Sequence, residues 1–220
     1  MLYDLDGTLL DTVADITLAL NRAVLEYGWE PVPESTVRRM IGRGSEVLVQ
    51  RAAQAQQRTL DADGVATVLD RFLHHYGALE RSRASTARAY PGVPAALQRL
   101  KQAGLRSAVI TNKHREFALA LLERLGLSPW IDLIVGGDSC ERRKPDPQPL
   151  QFACASLGLA PSAALMVGDS INDVQAARAA GIAVICVTYG YNEGQDPRAL
   201  ACDAHIDGFD ELPGLLLARS

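Results

Sequence analysis

The chain has 220 residues, of which 48% are hydrophobic, and its formal net charge is −4. This length and apolar content suit one domain with an insertion. The slightly acidic balance gives no sign of a nucleic-acid partner. Every uninterrupted apolar run is far shorter than the ~20 residues of a membrane-spanning helix, so we expect no membrane partner.

The cysteines bear on the compartment in which the protein works. Cys140, Cys154, Cys186 and Cys202 show no CxxC spacing. We interpret them as reduced thiols, which predicts a cytoplasmic protein. The sequence pattern leaves both a monomer and a homodimer open.

Residues 12–86 show only helical patterns. Ile16, Leu20 and Val24 recur at helical spacing, and a longer amphipathic stripe covers residues 65–76. No strand-like alternation interrupts them. We therefore predict that this segment forms an all-helical cap inserted into the rest of the fold.

From Tyr90 onward, short apolar runs alternate with amphipathic helical patterns that end at glycines. The runs predict strands at residues 107–110, 131–135, 164–167 and 183–187. Such alternation favours a parallel sheet with helices on both faces, and the first strand, which ends at Asp4, joins it. The predicted fold class is α/β, a doubly wound, Rossmann-like parallel sheet. We expect residues 1–11 and 87–220 to form this α/β core.

Polar side chains follow three of these strands at the points where the strands end. Asp4, Thr111 and Asp169 each come at the end of a short apolar run. In an open parallel sheet, ligands bind beyond the carboxyl ends of the strands, so we expect these three side chains at one site. Asp6 and Asp173 follow close behind the first and third of them and are expected at the same place.

Four carboxylates in one place repel one another unless a cation neutralises them, and oxygen ligands favour Mg²⁺. The four are Asp4, Asp6, Asp169 and Asp173. Lys144, with the neighbouring pair Thr111 and Asn112, suits a phosphate. The sequence therefore predicts a site for magnesium and a phosphoryl group.

Asp4 and Asp6 fit two roles that phosphoryl chemistry needs. A carboxylate can attack phosphorus and form an aspartyl phosphate, and a second group must protonate the leaving oxygen and then activate water. With one residue between them, the two aspartates fit these roles, and Gly7 permits a tight turn. Taken alone, the same residues also fit a surface turn capped by an aspartate side chain.

Four segments together resemble the four motifs of the haloacid dehalogenase superfamily, in family order. They are Asp4–Leu9, Thr111–Asn112, Lys144–Pro145 and Gly168–Asp173. The resemblance covers the whole chain and implies that Asp4 is the nucleophile and Asp6 the general acid/base.

The same resemblance implies a ligand set for Mg²⁺. The carboxylates of Asp4 and Asp169 and the main-chain carbonyl of Asp6 would ligate the ion. Asp173 would hold metal-bound water or orient Lys144. Thr111, Asn112 and Lys144 would bind the phosphoryl oxygens.

The identity of residue 6 narrows the class of reaction within the superfamily. Phosphatases and phosphomutases of the superfamily carry Asp two residues after the nucleophile, whereas its transport ATPases carry Thr. Asp6 therefore implies phosphoester chemistry.

Further segments are similar to bacterial phosphoglycolate phosphatases, which release phosphate from 2-phosphoglycolate. They are Ile41–Gly44, Tyr90–Val93, Thr111–Lys113, Gly136–Asp138 and Thr188–Asn192. This similarity implies a Mg²⁺-dependent phosphatase of a small phosphorylated acid. Within the cap, Arg43 offers a guanidinium fork for the substrate's carboxylate, although an exposed arginine on a plain helix–helix turn fits the spacing equally well.

Other functions stay open at this point. The enzyme alternatives are a broad sugar or nucleotide monophosphatase and a β-phosphoglucomutase-like phosphomutase, which would release little free phosphate. The non-enzyme alternative is a phosphoaccepting, receiver-like regulatory module, but receivers lack a helical insertion and carry the accepting Asp in mid-chain. Only Met1–Tyr3 precede Asp4, so we expect the natural chain to start further upstream.

Overall fold

The computed structural model describes residues 1–82 and 84–217. Its strands, in chain order, are β1 (Leu2–Tyr3), β2 (Leu10–Asp11), β3 (Arg88–Ala89), β4 (Ala108–Ile110), β5 (Leu133–Val135), β6 (Leu165–Gly168), β7 (Ala183–Val187) and β8 (Ala204–Ile206). Its α-helices are α1 (Val13–Leu25), α2 (Glu34–Val37), α3 (Ser45–Ala55), α4 (Ala62–Glu80), α5 (Val93–Gln102), α6 (Arg115–Arg124), α7 (Gln148–Ser156), α8 (Ile171–Ala180) and α9 (Glu211–Leu217).

Six of the strands form one sheet, in the spatial order β5–β4–β1–β6–β7–β8. All neighbours run parallel. β1 lies in the interior of the sheet, where Leu2 pairs with Ala108 on one side and with Met166 on the other. The predicted fold class, a doubly wound parallel α/β sheet with an inserted helical segment, is confirmed.

Helices cover both faces of the sheet because successive side chains of a strand point to opposite faces. Leu2 and Met166 belong to an apolar cluster with residues of α7 and α8. Tyr3 and Val167 belong to a second cluster with residues of α5, α6 and α9. β1 is therefore packed on both faces, which fixes the position of Asp4 at its end.

The helical insertion, α1–α4, has an apolar cluster of its own, to which Phe117 of α6 and Tyr191 also contribute. The chain enters the insertion through β2 and leaves it through β3. These strands pair antiparallel, with Leu10 opposite Ala89. The two connections between the helices and the sheet are thus bonded to each other.

β2, β3 and β8 were not predicted from the sequence. β8 and the β2–β3 ribbon are too short to give a periodic pattern, and β8 carries the polar His205 at its centre. The cysteines, all within the described residues, are free thiols. Of the helices in the described ranges, none combines the length and hydrophobicity needed to cross a bilayer.

Candidate active site

The chain turns sharply after β1, and this turn presents Asp4 and Asp6. The main-chain carbonyl of Leu5 accepts hydrogen bonds from the three amides of residues 8–10. Gly7 has φ +91°, and a Cβ atom there would lie only 2.3 Å from Oδ2 of Asp169. Residue 7 therefore has to be glycine, both for its backbone angle and because the turn packs directly against Asp169.

Lys144 joins the first and last of the predicted carboxylates. Its Nζ lies 2.8 Å from Oδ1 of Asp4 and 2.6 Å from Oδ1 of Asp173. The other oxygen of Asp173 accepts hydrogen bonds from the amide and the hydroxyl of Ser170, at 3.1 and 2.8 Å, in a capping box that begins α8. The start of α8 therefore fixes Asp173, which in turn orients Lys144.

Asp169 is held by the opposite wall of the site. Its Oδ2 accepts the main-chain N–H of Tyr191 at 2.7 Å, and its Oδ1 accepts the hydroxyl of Thr8 at 3.1 Å. Tyr191 itself is buried in the cluster of the helical insertion, and its hydroxyl accepts the amide of Thr12 at 2.8 Å. Tyr191 therefore connects Asp169 to the start of α1.

The electrostatics of this site favour a bound cation. Asp4, Asp169 and Asp173 are buried, and each offers an oxygen within 4.8 Å of the others. Burial, against the pull of Lys144, raises the pKa of Asp4 well above its usual value. Burial and the neighbouring Asp173 likewise raise the pKa of Asp169 to about 7. The single ammonium leaves an excess of negative charge, so these oxygens fit a divalent cation.

Lys144 keeps its positive charge in these surroundings. Burial opposes its charge, but Asp173 and Asp4 outweigh that effect and raise the pKa of its ammonium above the usual range. Lys144 is therefore a fixed cation at the floor of the site.

Asp6 lies beside this cluster and has other partners. Its Oδ1 accepts the hydroxyl of Thr12 at 2.6 Å and pairs with Nζ of Lys113 at 2.9 Å. The carboxylates of Asp4 and Asp6 both line the same cavity. Two acids with different neighbours thus face one space, as a nucleophile and an acid/base require.

Thr111 and Asn112 follow β4 and also line the cavity. The hydroxyl of Thr111 accepts the amide of Lys113 at 3.2 Å. The side-chain amide of Asn112 donates to the main-chain carbonyls of Gly42, at 2.9 Å, and Lys144, at 2.8 Å. Asn112 therefore links the loop between α2 and α3 to the end of β4 by a hydrogen bond.

The cavity has a volume of about 60 Å³ and lies between the sheet and the helical insertion. Its floor is polar and its remaining wall is mostly apolar. The apolar wall residues are Ile16, Ile41, Leu48, Phe72, Leu73, Tyr76 and Phe117. This volume admits only a few water-sized groups, since one water needs roughly 10–15 Å³ of such space.

Arg43 is the predicted site residue that the structure places apart from the others. It is not among the described residues that line the cavity. Its Nε donates to Oε1 of Glu193 at 2.7 Å, and its side chain is 46% exposed. Glu193 neutralises this guanidinium in the present arrangement, and a contact of Arg43 with a substrate carboxylate stays a prediction.

Sequence reasoning assigned no role to Lys113, although its side chain lines the cavity and pairs with Asp6. A signal was available, because Lys113 follows Thr111 and Asn112 directly after a strand. The supporting hydroxyls of Thr8 and Thr12 were also missed, since they act through other side chains rather than facing the cavity.

Comparison with known proteins agrees with this geometry. The family model of haloacid dehalogenase-like hydrolases matches residues 1–187. A phosphoglycolate phosphatase of Nitrosospira multiformis is 43% identical, over 100% of this chain and 96% of its own length. The plasmid-encoded phosphoglycolate phosphatase of Cupriavidus necator is 42% identical, over 98% of this chain and 92% of its own length.

A solved structure extends the likeness to three dimensions. The crystal structure of a predicted phosphoglycolate phosphatase from Haemophilus somnus superposes with a TM-score of 0.90 at 33% identity, covering 97% of this chain and 96% of that one. The chain therefore belongs to the haloacid dehalogenase-like hydrolase family. Within that family it is a phosphatase, a phosphoric monoester hydrolase.

Proposed function

We propose that the protein hydrolyses 2-phosphoglycolate to glycolate and phosphate in a Mg²⁺-dependent reaction, through an aspartyl phosphate on Asp4. The observation that carries this proposal is the position of Asp4, buried between Lys144 and the acid cluster at the floor of a small cavity. The relatives named phosphoglycolate phosphatase support the choice of substrate.

The two aspartates that follow β1 have different roles, Asp4 as the nucleophile and Asp6 as the acid and base. A carboxylate oxygen of Asp4 attacks phosphorus, the bond from phosphorus to the leaving oxygen breaks, and Asp6 gives its proton to that oxygen. Asp6 then takes a proton from a water molecule, which attacks the phosphoryl group. Phosphate leaves and the Asp4 carboxylate is regenerated.

The cations and hydroxyls around Asp4 stabilise the transferring group. Lys144 places its ammonium where negative charge develops on the phosphoryl oxygens. Thr111 and Asn112, at the end of β4, would bind the same oxygens, Asn112 through its main-chain amide because its side-chain amide donates to Gly42 and Lys144.

The acid cluster would hold Mg²⁺. The carboxylates of Asp4 and Asp169 and the main-chain carbonyl of Asp6 would be its ligands, while Asp173 would orient Lys144 or hold metal-bound water. When bound, the ion supplies the charge neutralisation that lets a carboxylate approach a phosphate.

The helical insertion selects small substrates. We place its boundaries at residues 12–86, on a core of residues 1–11 and 87–220, and assign it the role of a cap that excludes water from the reaction. The cavity of about 60 Å³ suits a phosphoryl group with a short leaving group.

A phosphate-release assay tests the proposal. Wild-type protein with Mg²⁺ is given phosphoglycolate, a hexose phosphate and a nucleoside monophosphate, and we expect the highest kcat/KM with phosphoglycolate. Asp4→Asn should lose activity at least ~10³-fold while remaining folded, because an amide cannot attack phosphorus. A larger substrate that gives the highest kcat/KM would refute the substrate assignment. Retention of a tenth of the activity by Asp4→Asn would refute the nucleophile.

A further inference from the structure

We infer that Lys113 binds the carboxylate of the substrate's leaving group and so makes the enzyme prefer phosphorylated acids to neutral phosphoesters. This inference rests on the proposed function and names the residue that sets its specificity.

Lys113 lies between the core and the helical insertion. It follows β4 in the loop that leads to α6, and its side chain is only 8% exposed. Its Nζ lies 2.9 Å from Oδ1 of Asp6 on one side and 4.6 Å from the ring centroid of Tyr76, in α4, on the other. The ammonium is thus held at the boundary between the polar floor and the apolar wall of the cavity.

The charges around the cavity leave few partners for an anionic leaving group. Among the described residues that line it, Lys113 is the only lysine or arginine. Lys144 and Arg43 are not among those residues, and Lys144 is assigned to the phosphoryl group. The lining His114 faces Asp138 at 3.8 Å. A carboxylate that enters an apolar cavity loses its water and requires an opposite charge there. Lys113 meets that requirement.

The distances agree with the chemistry of the proposed substrate. Asp6 protonates the leaving oxygen, and in phosphoglycolate one methylene group separates this oxygen from the carboxylate. A group in contact with Asp6 is therefore within reach of that carboxylate. An ammonium has three N–H donors, and the pair with Asp6 leaves donors for a second anion.

The test compares phosphoglycolate with its neutral amide analogue, 2-phosphoglycolamide, which has nearly the same shape. The quantity measured is the ratio of the two kcat/KM values. In wild type the ratio should favour the acid. Lys113→Met should lower it about tenfold or more, since hydrogen bonds to charged groups are worth about 1.5–3 kcal/mol. Lys113→Arg, which keeps the charge, should retain most of the preference.

Matched controls separate this role from others. Lys101→Met, at a surface lysine of α5 that pairs with Asp132, should leave the ratio unchanged. Equal losses on both substrates in Lys113→Met would overturn the inference, because Lys113 would then only position Asp6. A fall of the ratio in Arg43→Ala but not in Lys113→Met would also overturn it.

A competitive-inhibition assay tests Lys113 even if phosphoglycolate is not a substrate. Both compounds are also measured as competitive inhibitors of p-nitrophenyl phosphate hydrolysis. A wild type that hydrolyses p-nitrophenyl phosphate but not phosphoglycolate would refute the proposed function. The Lys113 inference then stands if Lys113→Met weakens inhibition by the acid more than by the amide, and falls if both weaken equally.

Discussion

At the scale of single residues, the aspartates of the site differ in the groups that hold them. Asp173 is fixed by the start of α8, and Asp169 by Tyr191 and Thr8. Asp6 instead contacts Thr12 and Lys113 at the cavity edge. Burial raises the pKa values of Asp4 and Asp169, so the cluster as a whole favours a bound cation over three free carboxylates.

Asp169→Asn should therefore raise the Mg²⁺ concentration needed for half-maximal activity about tenfold or more, because a neutral amide is a weaker partner for a hard cation. The measurement is a Mg²⁺ titration of phosphate release. Asp70→Asn, at an exposed position of α4, is the matched control and should behave as wild type. An unchanged requirement in Asp169→Asn, or full activity in excess chelator, would argue against a metal at this cluster.

At the scale of elements, the connections of the helical insertion depend on one buried carboxylate. Asp15, in the first turn of α1, is 1% exposed. It accepts hydrogen bonds from the hydroxyl of Ser85, from the amide and hydroxyl of Thr86 and from the amide of Ala87. Together with the β2–β3 ribbon, Asp15 thus joins the entry of the insertion to its exit.

Asp15→Ala should lower the free energy of unfolding by about 2–4 kcal/mol, because it removes a buried carboxylate that accepts four hydrogen bonds and leaves the amide of the buried Ala87 without its acceptor. The exposed Asp63→Ala should change it by less than about 0.5 kcal/mol. Chemical denaturation at neutral pH measures both. Similar values for the two variants would show that Asp15 does not hold these segments together.

The same contact predicts a pH dependence. Burial alone would raise the pKa of Asp15, but the hydrogen bonds from Ser85, Thr86 and Ala87 hold it below its ordinary value of 3.8. A lowered pKa contributes stability above the unfolded-state pKa and loses it as the pH falls. The difference between wild type and Asp15→Ala should therefore be constant near neutral pH and shrink below about pH 4. A difference that grows toward acid pH would contradict this assignment.

These contacts also show how much of the site and fold could be predicted from the sequence alone. Asp4, Thr111 and Asp169 were predictable as neighbours, because the ends of buried parallel strands meet at one edge of a sheet. Lys113 could have been placed near them for the same reason, but its pairing with Asp6 could not, and neither could the role of Asp15, since both depend on contacts between distant segments. β8 was not predicted for a different reason, because a strand of three residues with a polar residue at its centre gives no hydrophobic periodicity.

At the scale of the whole molecule, the helical insertion contacts the core through charges as well as apolar groups. Glu193, two residues after Tyr191, has φ +50°. Its carboxylate pairs with Arg43 of the α2–α3 loop at 2.7 Å and with Arg51 of α3 at 3.0 Å. Arg43 is thus a contact between the two parts of the molecule. Its position explains why a residue expected at the substrate lies outside the cavity.

Glu193→Gln should weaken this contact and reduce the fraction of molecules with the cavity formed. KM for phosphoglycolate should rise about two- to fivefold, with a smaller effect on kcat, since partly exposed ion pairs are worth about 0.2–1 kcal/mol each. Asp203→Asn removes the partner of Arg178 in an exposed ion pair of the core and should leave KM unchanged. Equal KM values in Glu193→Gln and wild type would show that the ion pairs do not support the closed arrangement.

The central claim is that Asp4 carries the phosphoryl group and that Asp6 acts as acid and base. It is tested most directly by peptide mass analysis of Asp6→Asn protein, quenched during reaction with Mg²⁺ and p-nitrophenyl phosphate. This substrate has a good leaving group and needs little protonation, whereas hydrolysis of the aspartyl phosphate still needs a base. We predict that the peptide containing Asp4 gains the mass of one phosphoryl group, and that the Asp4→Asn/Asp6→Asn double variant shows no such gain. A phosphoryl group on another residue, or no covalent species while phosphate is still released at the wild-type rate, would contradict the account.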